Sequence, residues 1–155
     1  MEGCNCSQAV FVAYCDLYGI EPDMAMRLSA SFGGGMGRMR EVCGAVSGML
    51  MVAGLETGAT CGADQEAKKH NYEVVQQLAA KFKEQYGSIV CRELLGLDKT
   101  SMPGDMTVPT PEKRTKDYYK KRPCKEQIMQ AAKILEETIL AERLQDRKSD
   151  SKFGS

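Results

Sequence analysis

The chain has 155 residues, a length that suits one domain with a buried core. Its 21 Lys and Arg balance its 21 Asp and Glu, and it has no Trp, so neither charge nor aromatic stacking favours nucleic acid or an anionic membrane as a partner. Seven cysteines, an odd number, argue against a fully paired secreted disulfide framework.

The first predicted helix carries cysteine near its start. Asn5 or Ser7 would cap this helix, and Gly19 would end it. Its apolar face is predicted from residues at helical spacing: Cys6, Val10, Ala13 and Leu17. A short second helix is expected to open at Pro22.

A glycine-rich segment, SFGGGMGR, ends the second helix, because so many glycines do not hold a regular element. The segment fits neither common phosphate-binding pattern, so we interpret it as a turn that lets the third helix approach the first. The nearby Arg38 and Arg40 would hold a small anion, stabilise a thiolate or be solvated. The third helix is expected from about Met39 to Leu55. Gly44 and Gly48 lie one turn apart on it and predict a close approach of another helix backbone.

The second half of the chain predicts three further helices. A long one starts after Asp64 and ends at Gly87, and its apolar stripe consists of Val74, Leu78, Phe82 and Tyr86. A short helix from about Ile89 to Leu95 carries Cys91, and a last helix begins near Pro123. Between them lies a Pro- and Thr-rich segment, LDKTSMPGDMTVPTPEK, which we predict to be a surface loop.

No segment shows the alternation of a strand, so the sequence predicts an all-α, compact bundle of about five to six helices. We expect a single domain at residues 1–148 and a disordered tail at residues 149–155. The start, MEGCNCSQAV, lacks the regions of a signal peptide, and the longest apolar stretch is too short to span a bilayer. We therefore expect a cytoplasmic protein, in which cysteines are inert core residues, metal ligands or redox thiols.

Four cysteines lie on or near predicted helix starts: Cys6, Cys43, Cys91 and Cys124. Unpaired N–H groups and the helix dipole there favour a thiolate and would lower the pKa of a thiol. Thiolates attack disulfides, reduce oxidants or bind soft metals. Core packing is the alternative for each of them, since free cysteine is among the most buried residue types.

An ordered set of motifs resembles the C-GCAxxG-C-C family, whose redox activity is inferred from its cysteines. The motifs are NCSQAV, FGGGMGR, CGAVSG, YGSIVCRELLG and RPC, and they cover roughly residues 3 to 135. This chain reads CGAVSG where the family name has GCAxxG. The resemblance implies an all-helical bacterial or archaeal protein, often encoded near transporter genes. It maps the four family cysteines onto Cys6, Cys43, Cys91 and Cys124.

The remaining cysteines, Cys4, Cys15 and Cys61, lie outside the family pattern, and the sequence assigns them no role. Cys4 forms a Cys-x-Cys pair with Cys6, which leaves open which of the two sulfurs reacts. The only histidine, His70, lies on a mostly polar face, so a Cys–His pair for hydrolysis is not expected.

Three functions stay open from the sequence. In the first, a thiol redox protein or oxidoreductase, Cys6 and Cys43 are the nucleophile and the resolving partner in unknown order, and the four family cysteines converge at one end of the bundle. In the second, Cys6, Cys43, Cys91 and Cys124 bind zinc or an iron–sulfur cluster, although their scatter along the chain is unusual for such sites. In the third, the cysteines are inert in a structural or partner-binding domain. The redox partner is unknown, and the resemblance suggests a transport system.

Overall fold

The computed structural model describes residues 3–97, 108–113, 117–118 and 122–153, with the backbone alone for residues 148–153. In these ranges the chain is all-α, with seven helices, a four-residue helical turn at Gly33–Met36 whose Gly34 and Gly35 have non-helical φ/ψ, and no strand, whereas the sequence predicts five to six helices. The helices are α1 Cys6–Phe11, α2 Pro22–Ser29, α3 Gly44–Thr57, α4 Gln65–Tyr86, α5 Cys91–Leu94, α6 Cys124–Thr138 and α7 Ala141–Phe153. The additional helix is α7, which is separate because the backbone leaves helical geometry at Ile139 (φ −123°).

Asn5, Gly19, Asp64 and Gly87 end or cap their elements as the sequence predicts. The Asn5 side chain accepts a hydrogen bond from Gln8 N, and the Gln8 side chain accepts one from Asn5 N, so the start of α1 is a capping box. The predicted first helix divides into α1 and a 3-10 helix, Val12–Tyr18, which ends at Gly19 with φ +66°. Asp64 caps α4, and Gly87 ends it in the left-handed conformation.

The predicted start of the third helix is wrong by five residues. The helix begins at Gly44 with Cys43 as its N-cap, not near Met39. The preceding residues instead pair with the segment before α5, and Val42 forms an isolated antiparallel bridge with Val90. A helical periodicity around Met39 could not reveal this pairing, because its partner lies far away in the sequence.

The core is built around α3, which packs against α1, α4 and α6. Side chains of α3 are buried on more than one face, as its continuously apolar sequence requires. The fully buried large residues that meet around it include Val10, Met49, Val52, Leu78, Phe82 and Leu135. Each such side chain stabilises the fold by about 1.5–3 kcal/mol relative to exposure.

The predicted close approach at Gly44 and Gly48 is confirmed, and α1 is the helix that packs there. A Cβ atom on Gly48 would lie 2.7 Å from Ser7 O and 3.0 Å from Val10 Cβ. A Cβ atom on Gly44 would overlap Cys6 Sγ and lie 3.0 Å from Phe32 O. The two glycines therefore let α1 lie directly on α3 and bring Cys6 to the start of α3.

No helix within the described parts of the chain is long and apolar enough to cross a membrane. Most of the predicted surface loop, residues 98–107, lies outside the described residues. Residues 154–155 of the predicted tail also lie outside them, and helical backbone is described as far as Phe153. The division into residues 1–148 and a disordered tail at 149–155 stays a prediction.

Candidate functional site

The four cysteines at helix starts line one small cavity. Its volume is about 20 Å³, which is the room that a single water molecule needs. Other described residues in its wall include Gly34, Arg40, Gly44, Tyr118, Arg122 and Gln127, and no Asp or Glu is among the described residues that line it. The structure therefore brings Cys6, Cys43, Cys91 and Cys124 together, while the reaction they perform stays a prediction.

Each of these cysteines stands at the start of its helix, as the sequence predicts. Cys6, Cys91 and Cys124 are the first residues of α1, α5 and α6, and Cys43 is the N-cap of α3. Three of the four, Cys6, Cys43 and Cys91, are buried, while Cys124 is half-buried. The cavity is thus the place where the starts of four helices meet.

Backbone pairing joins the loop before α3 to the segment that starts α5. Three hydrogen bonds form this connection: Cys43 N donates to Ile89 O (2.8 Å), Cys91 N to Glu41 O (2.6 Å) and Arg92 N to Arg40 O (3.1 Å). One of these bonds runs from the loop to the α5 segment and two run back, on either side of the Val42–Val90 bridge, so they fix how far apart the backbones of Cys43 and Cys91 lie. A contact between two segments almost fifty residues apart therefore sets one side of the cavity.

The glycine-rich loop packs against the starts of α1 and α5. A Cβ atom on Gly33 would overlap the Asn5 side chain, which caps α1 and donates to Ala30 O (2.9 Å). A Cβ atom on Gly35, whose φ is +70°, would lie 2.6 Å from Cys91 Cβ. The loop thus does more than the predicted turn, because it positions the residues that hold Cys6 and Cys91.

Burial dominates the acidity of Cys43. It raises the pKa of this thiol to about 12, and the neighbouring Cys6 and Cys91 thiols act in the same direction. Hydrogen bonds from Val46 N–H and Ala45 N–H at the helix start oppose the rise. The expectation that the helix start lowers the pKa is therefore wrong for Cys43, because desolvation outweighs the helix N–H groups.

Cys91 differs from Cys43 in having positive charges nearby. Burial raises the pKa of the Cys91 thiol, whereas a hydrogen bond with Arg40 and the charges of Arg40 and Arg122 lower it. The balance still lies above the ordinary value, so the expected lowering is wrong here too. Arg122 in turn donates to Glu112 Oε1 (2.7 Å) and lies over the Tyr118 ring at 4.8 Å.

The cysteines outside the family pattern do not line the cavity. Cys4 is buried with its Sγ 3.8 Å from Met26 Sδ, Cys15 belongs to the hydrophobic core, and Cys61 is exposed. Of the N-terminal pair, Cys6 is therefore the sulfur in the cavity. All seven cysteines are free thiols, and no two described cysteines lie at disulfide distance.

The geometry does not fit the alternative in which Cys6, Cys43, Cys91 and Cys124 ligate zinc or an iron–sulfur cluster. Among the described residues, no three His, Cys, Asp or Glu side chains are grouped as a metal ion requires.

Sequence reasoning missed the polar residues that α6 and the segment before it supply. Gln127 is buried and accepts a weak hydrogen bond from Cys43 Sγ (3.9 Å). The sequence does carry a signal for Gln127, because it is a polar residue on the inward face of α6, four residues before the buried Ala131. Tyr118 and Arg122 precede the helix and have no periodic signal.

Comparison with known proteins identifies one family. A family model described as "Putative redox-active protein (C_GCAxxG_C_C)" matches residues 4–138, which include all four cavity cysteines. No curated protein and no solved structure matches the chain.

Proposed function

The chain belongs to the C-GCAxxG-C-C family of redox-active proteins, and we propose that its cavity cysteines cycle between dithiol and disulfide forms. The observation that carries this proposal is that four cysteines, scattered over more than a hundred residues, line one cavity. Two thiols that close a disulfide lose two electrons and two protons, which a small two-electron oxidant takes up. The function is thus thiol oxidoreduction inside a helical bundle.

Polar groups in the cavity distinguish it from ordinary core packing. Cys15 shows the packing alternative, since it lies in the hydrophobic core and outside this cavity. The cavity cysteines instead share their space with Arg40, Arg122 and Gln127. Placing guanidinium and amide groups beside thiols costs desolvation energy, which a purely structural core would avoid. This arrangement supports a chemical role for the four thiols.

Cys43 is the central thiol of the proposed cycle. Both Cys6 and Cys91 line the same cavity as Cys43, so either one is a candidate partner for a disulfide once the two sulfurs approach each other. A disulfide requires the two sulfurs to approach to about 2 Å, so one helix start must shift when the bond closes. The shortest helix that carries a cavity cysteine is α5, Cys91–Leu94, and moving its start toward Cys43 would break the hydrogen bonds from Cys91 N to Glu41 O and from Arg92 N to Arg40 O.

The proposal is tested by counting free thiols in reduced protein before and after mild oxidation. We expect the parent to lose two thiols per chain and peptide mapping to place the disulfide among the cavity cysteines. The matched pair of variants is Cys43→Ser and Cys61→Ser, because Cys61 is exposed and outside the cavity. Cys61→Ser should oxidise like the parent, whereas Cys43→Ser should lose the disulfide. Oxidation of Cys43→Ser at the parental rate, to the same thiol count, would show the assignment to be wrong.

A further inference from the structure

We propose that Arg40 makes Cys91 the attacking thiol of the cavity and that the oxidant it attacks is a small hydroperoxide. This inference rests on the dithiol cycle proposed above and deepens it. It assigns the attack to Cys91, in place of the Cys6 or Cys43 expected from the sequence, and leaves Cys43 as the resolving thiol. Arg40 is a positioning residue here, since it acts on the oxidant through the Cys91 sulfur.

Arg40 is a buried cation aimed at Cys91. Only 5% of its surface is exposed, and its side chain is hydrogen-bonded to the Cys91 thiol. Its carbonyl accepts the hydrogen bond from Arg92 N, so its backbone is tied to the same helix start (3.1 Å). A guanidinium in this place stabilises negative charge on the Cys91 sulfur.

The backbone that carries Arg40 is unusual. Three residues of the loop other than glycine adopt left-handed conformations, namely Met36 (φ 60°), Arg38 (φ 70°) and Arg40 (φ 62°). Such conformations are uncommon outside glycine, and strained backbone in folded proteins concentrates at functional sites. A residue other than glycine at position 40 therefore points to a use for its side chain, and the side chain lies in the cysteine cavity.

The electrostatic surroundings single out Cys91. Charged and titratable residues reach the cavity wall from every element that packs there. Arg40 comes from the loop before α3, Tyr118 and Arg122 come from the segment before α6, and the starts of the four helices contribute Cys6, Cys43, Cys91 and Cys124. Two guanidinium groups favour the Cys91 thiolate, whereas only backbone N–H groups oppose the raised pKa of Cys43. Cys91 is therefore the cavity thiol whose ionised form the two cations stabilise, and we assign the attack to it.

The size of the cavity selects the oxidant. A volume of about 20 Å³ is the room of about one water molecule, which suits a small oxidant such as hydrogen peroxide. The Cys91 thiolate attacks one peroxide oxygen, so an S–O bond forms and the O–O bond breaks. The hydroxide that leaves takes up the proton lost by Cys91 and departs as water.

The second step closes the disulfide. Cys43 attacks the sulfur of the Cys91 sulfenic acid, so an S–S bond forms and the S–O bond breaks. The departing hydroxide takes the Cys43 proton and becomes a second water. Two thiols have then supplied two electrons and two protons, and one hydrogen peroxide has become two waters.

The test uses the full chain carrying Cys43→Ser, in which the Cys91 sulfenic acid has lost its resolving thiol. Reduced protein is treated with less than one equivalent of hydrogen peroxide, and each cysteine peptide is weighed over time for the gain of one oxygen. We expect the Cys91 peptide to gain it first. Adding Arg40→Gly or Arg40→Gln should slow this gain by about threefold or more, the net effect of a thiolate that is scarcer but more nucleophilic, and Arg40→Lys should restore most of the rate.

Arg40→Gly also separates chemistry from folding, because glycine suits the left-handed backbone at this position. Its matched control is Arg38→Gly, which removes the same charge from the same kind of backbone but at a side chain that bonds Val108 O outside the cavity. Arg38→Gly should leave the Cys91 rate within about twofold. Circular dichroism of each variant verifies the helical content.

The outcomes separate this inference from the proposed function. A Cys91 rate that Arg40→Gly and Arg40→Gln leave unchanged, or first oxidation at another cysteine, overturns the inference even where the parent still forms its disulfide. First oxidation at Cys91 with the expected dependence on Arg40 supports the inference. If the parent nevertheless keeps all its free thiols, the disulfide cycle is wrong and the role of Arg40 stands.

Discussion

Gly48→Ala tests whether close packing of α1 on α3 holds the fold and the cavity together. The added Cβ would lie 2.7 Å from Ser7 O and 3.0 Å from Val10 Cβ. The first of these atoms belongs to the backbone of α1 and cannot rotate away, so the two helices must move apart. Overpacking of this kind costs about 1–3 kcal/mol.

Gly54→Ala is the matched control on the same helix. Gly54 also lies inside α3, but a Cβ atom there would meet nothing within 4 Å. Replacing glycine by alanine inside a helix stabilises it by about 1 kcal/mol, and this gain is common to both variants. The difference between the two variants therefore isolates the overpacking term, and we expect Gly48→Ala to be the less stable by about 1–3 kcal/mol.

The measurement is urea unfolding of reduced parent and both variants, followed by far-ultraviolet circular dichroism. Gly54→Ala should unfold at a higher urea concentration than the parent, and Gly48→Ala at a lower concentration than Gly54→Ala. Because α1 carries Cys6 into the cavity, Gly48→Ala should also change the rate at which the Cys6 thiol is alkylated. Equal stability of the two alanine variants would refute the close packing.

Three further outcomes follow from the structure. Burial raises the pKa of Cys43 from its ordinary value of 9.0 to about 12 in the folded protein, so above pH 9.0 the unfolded chain loses this proton first and gains stability. The stability advantage of the parent over Cys43→Ala is therefore fully present below pH 9.0 and should shrink by about 4 kcal/mol between pH 9.0 and pH 12 in urea titrations. Asn5→Ala removes the cap that accepts from Gln8 N and should cost about 1 kcal/mol of unfolding free energy. Tyr14→Phe removes the hydrogen bond from the buried Tyr14 hydroxyl to Glu136 Oε1 (3.0 Å) and should cost about 1.5 kcal/mol, without slowing cysteine oxidation.

Local signals in the sequence predicted the helices and their ends well, because caps and apolar stripes act over a few residues. Asn5, Asp64 and Gly87 each do what their residue type suggests at a helix end. The start of α3 was mislocated because the Val42–Val90 bridge, a contact between distant segments, overrides the helical pattern before Cys43. The separate α7 was missed because its sequence is mostly charged and its apolar stripe is weak.

The candidate site was predictable in part. A repeated local feature, cysteine at a helix start, identified the four residues that line the cavity. The acidity of Cys43 was not predictable, because the helix start and burial act on its pKa in opposite directions and only the fold shows that burial prevails. The role of Arg40 depends on its left-handed backbone and its contact with Cys91, neither of which has a sequence pattern.

The groups in the cavity wall suit a sulfur that takes on negative charge. Its wall combines thiols with Arg40 and Arg122, and N–H groups at the start of α3 point at the Cys43 sulfur. These groups all stabilise negative charge, whether on a thiolate, on a sulfenate or on a departing hydroxide. In the proposed cycle, burial keeps the Cys43 and Cys91 thiols protonated at rest, and the positive groups next to Cys91 favour the negative charge that develops on its sulfur during reaction.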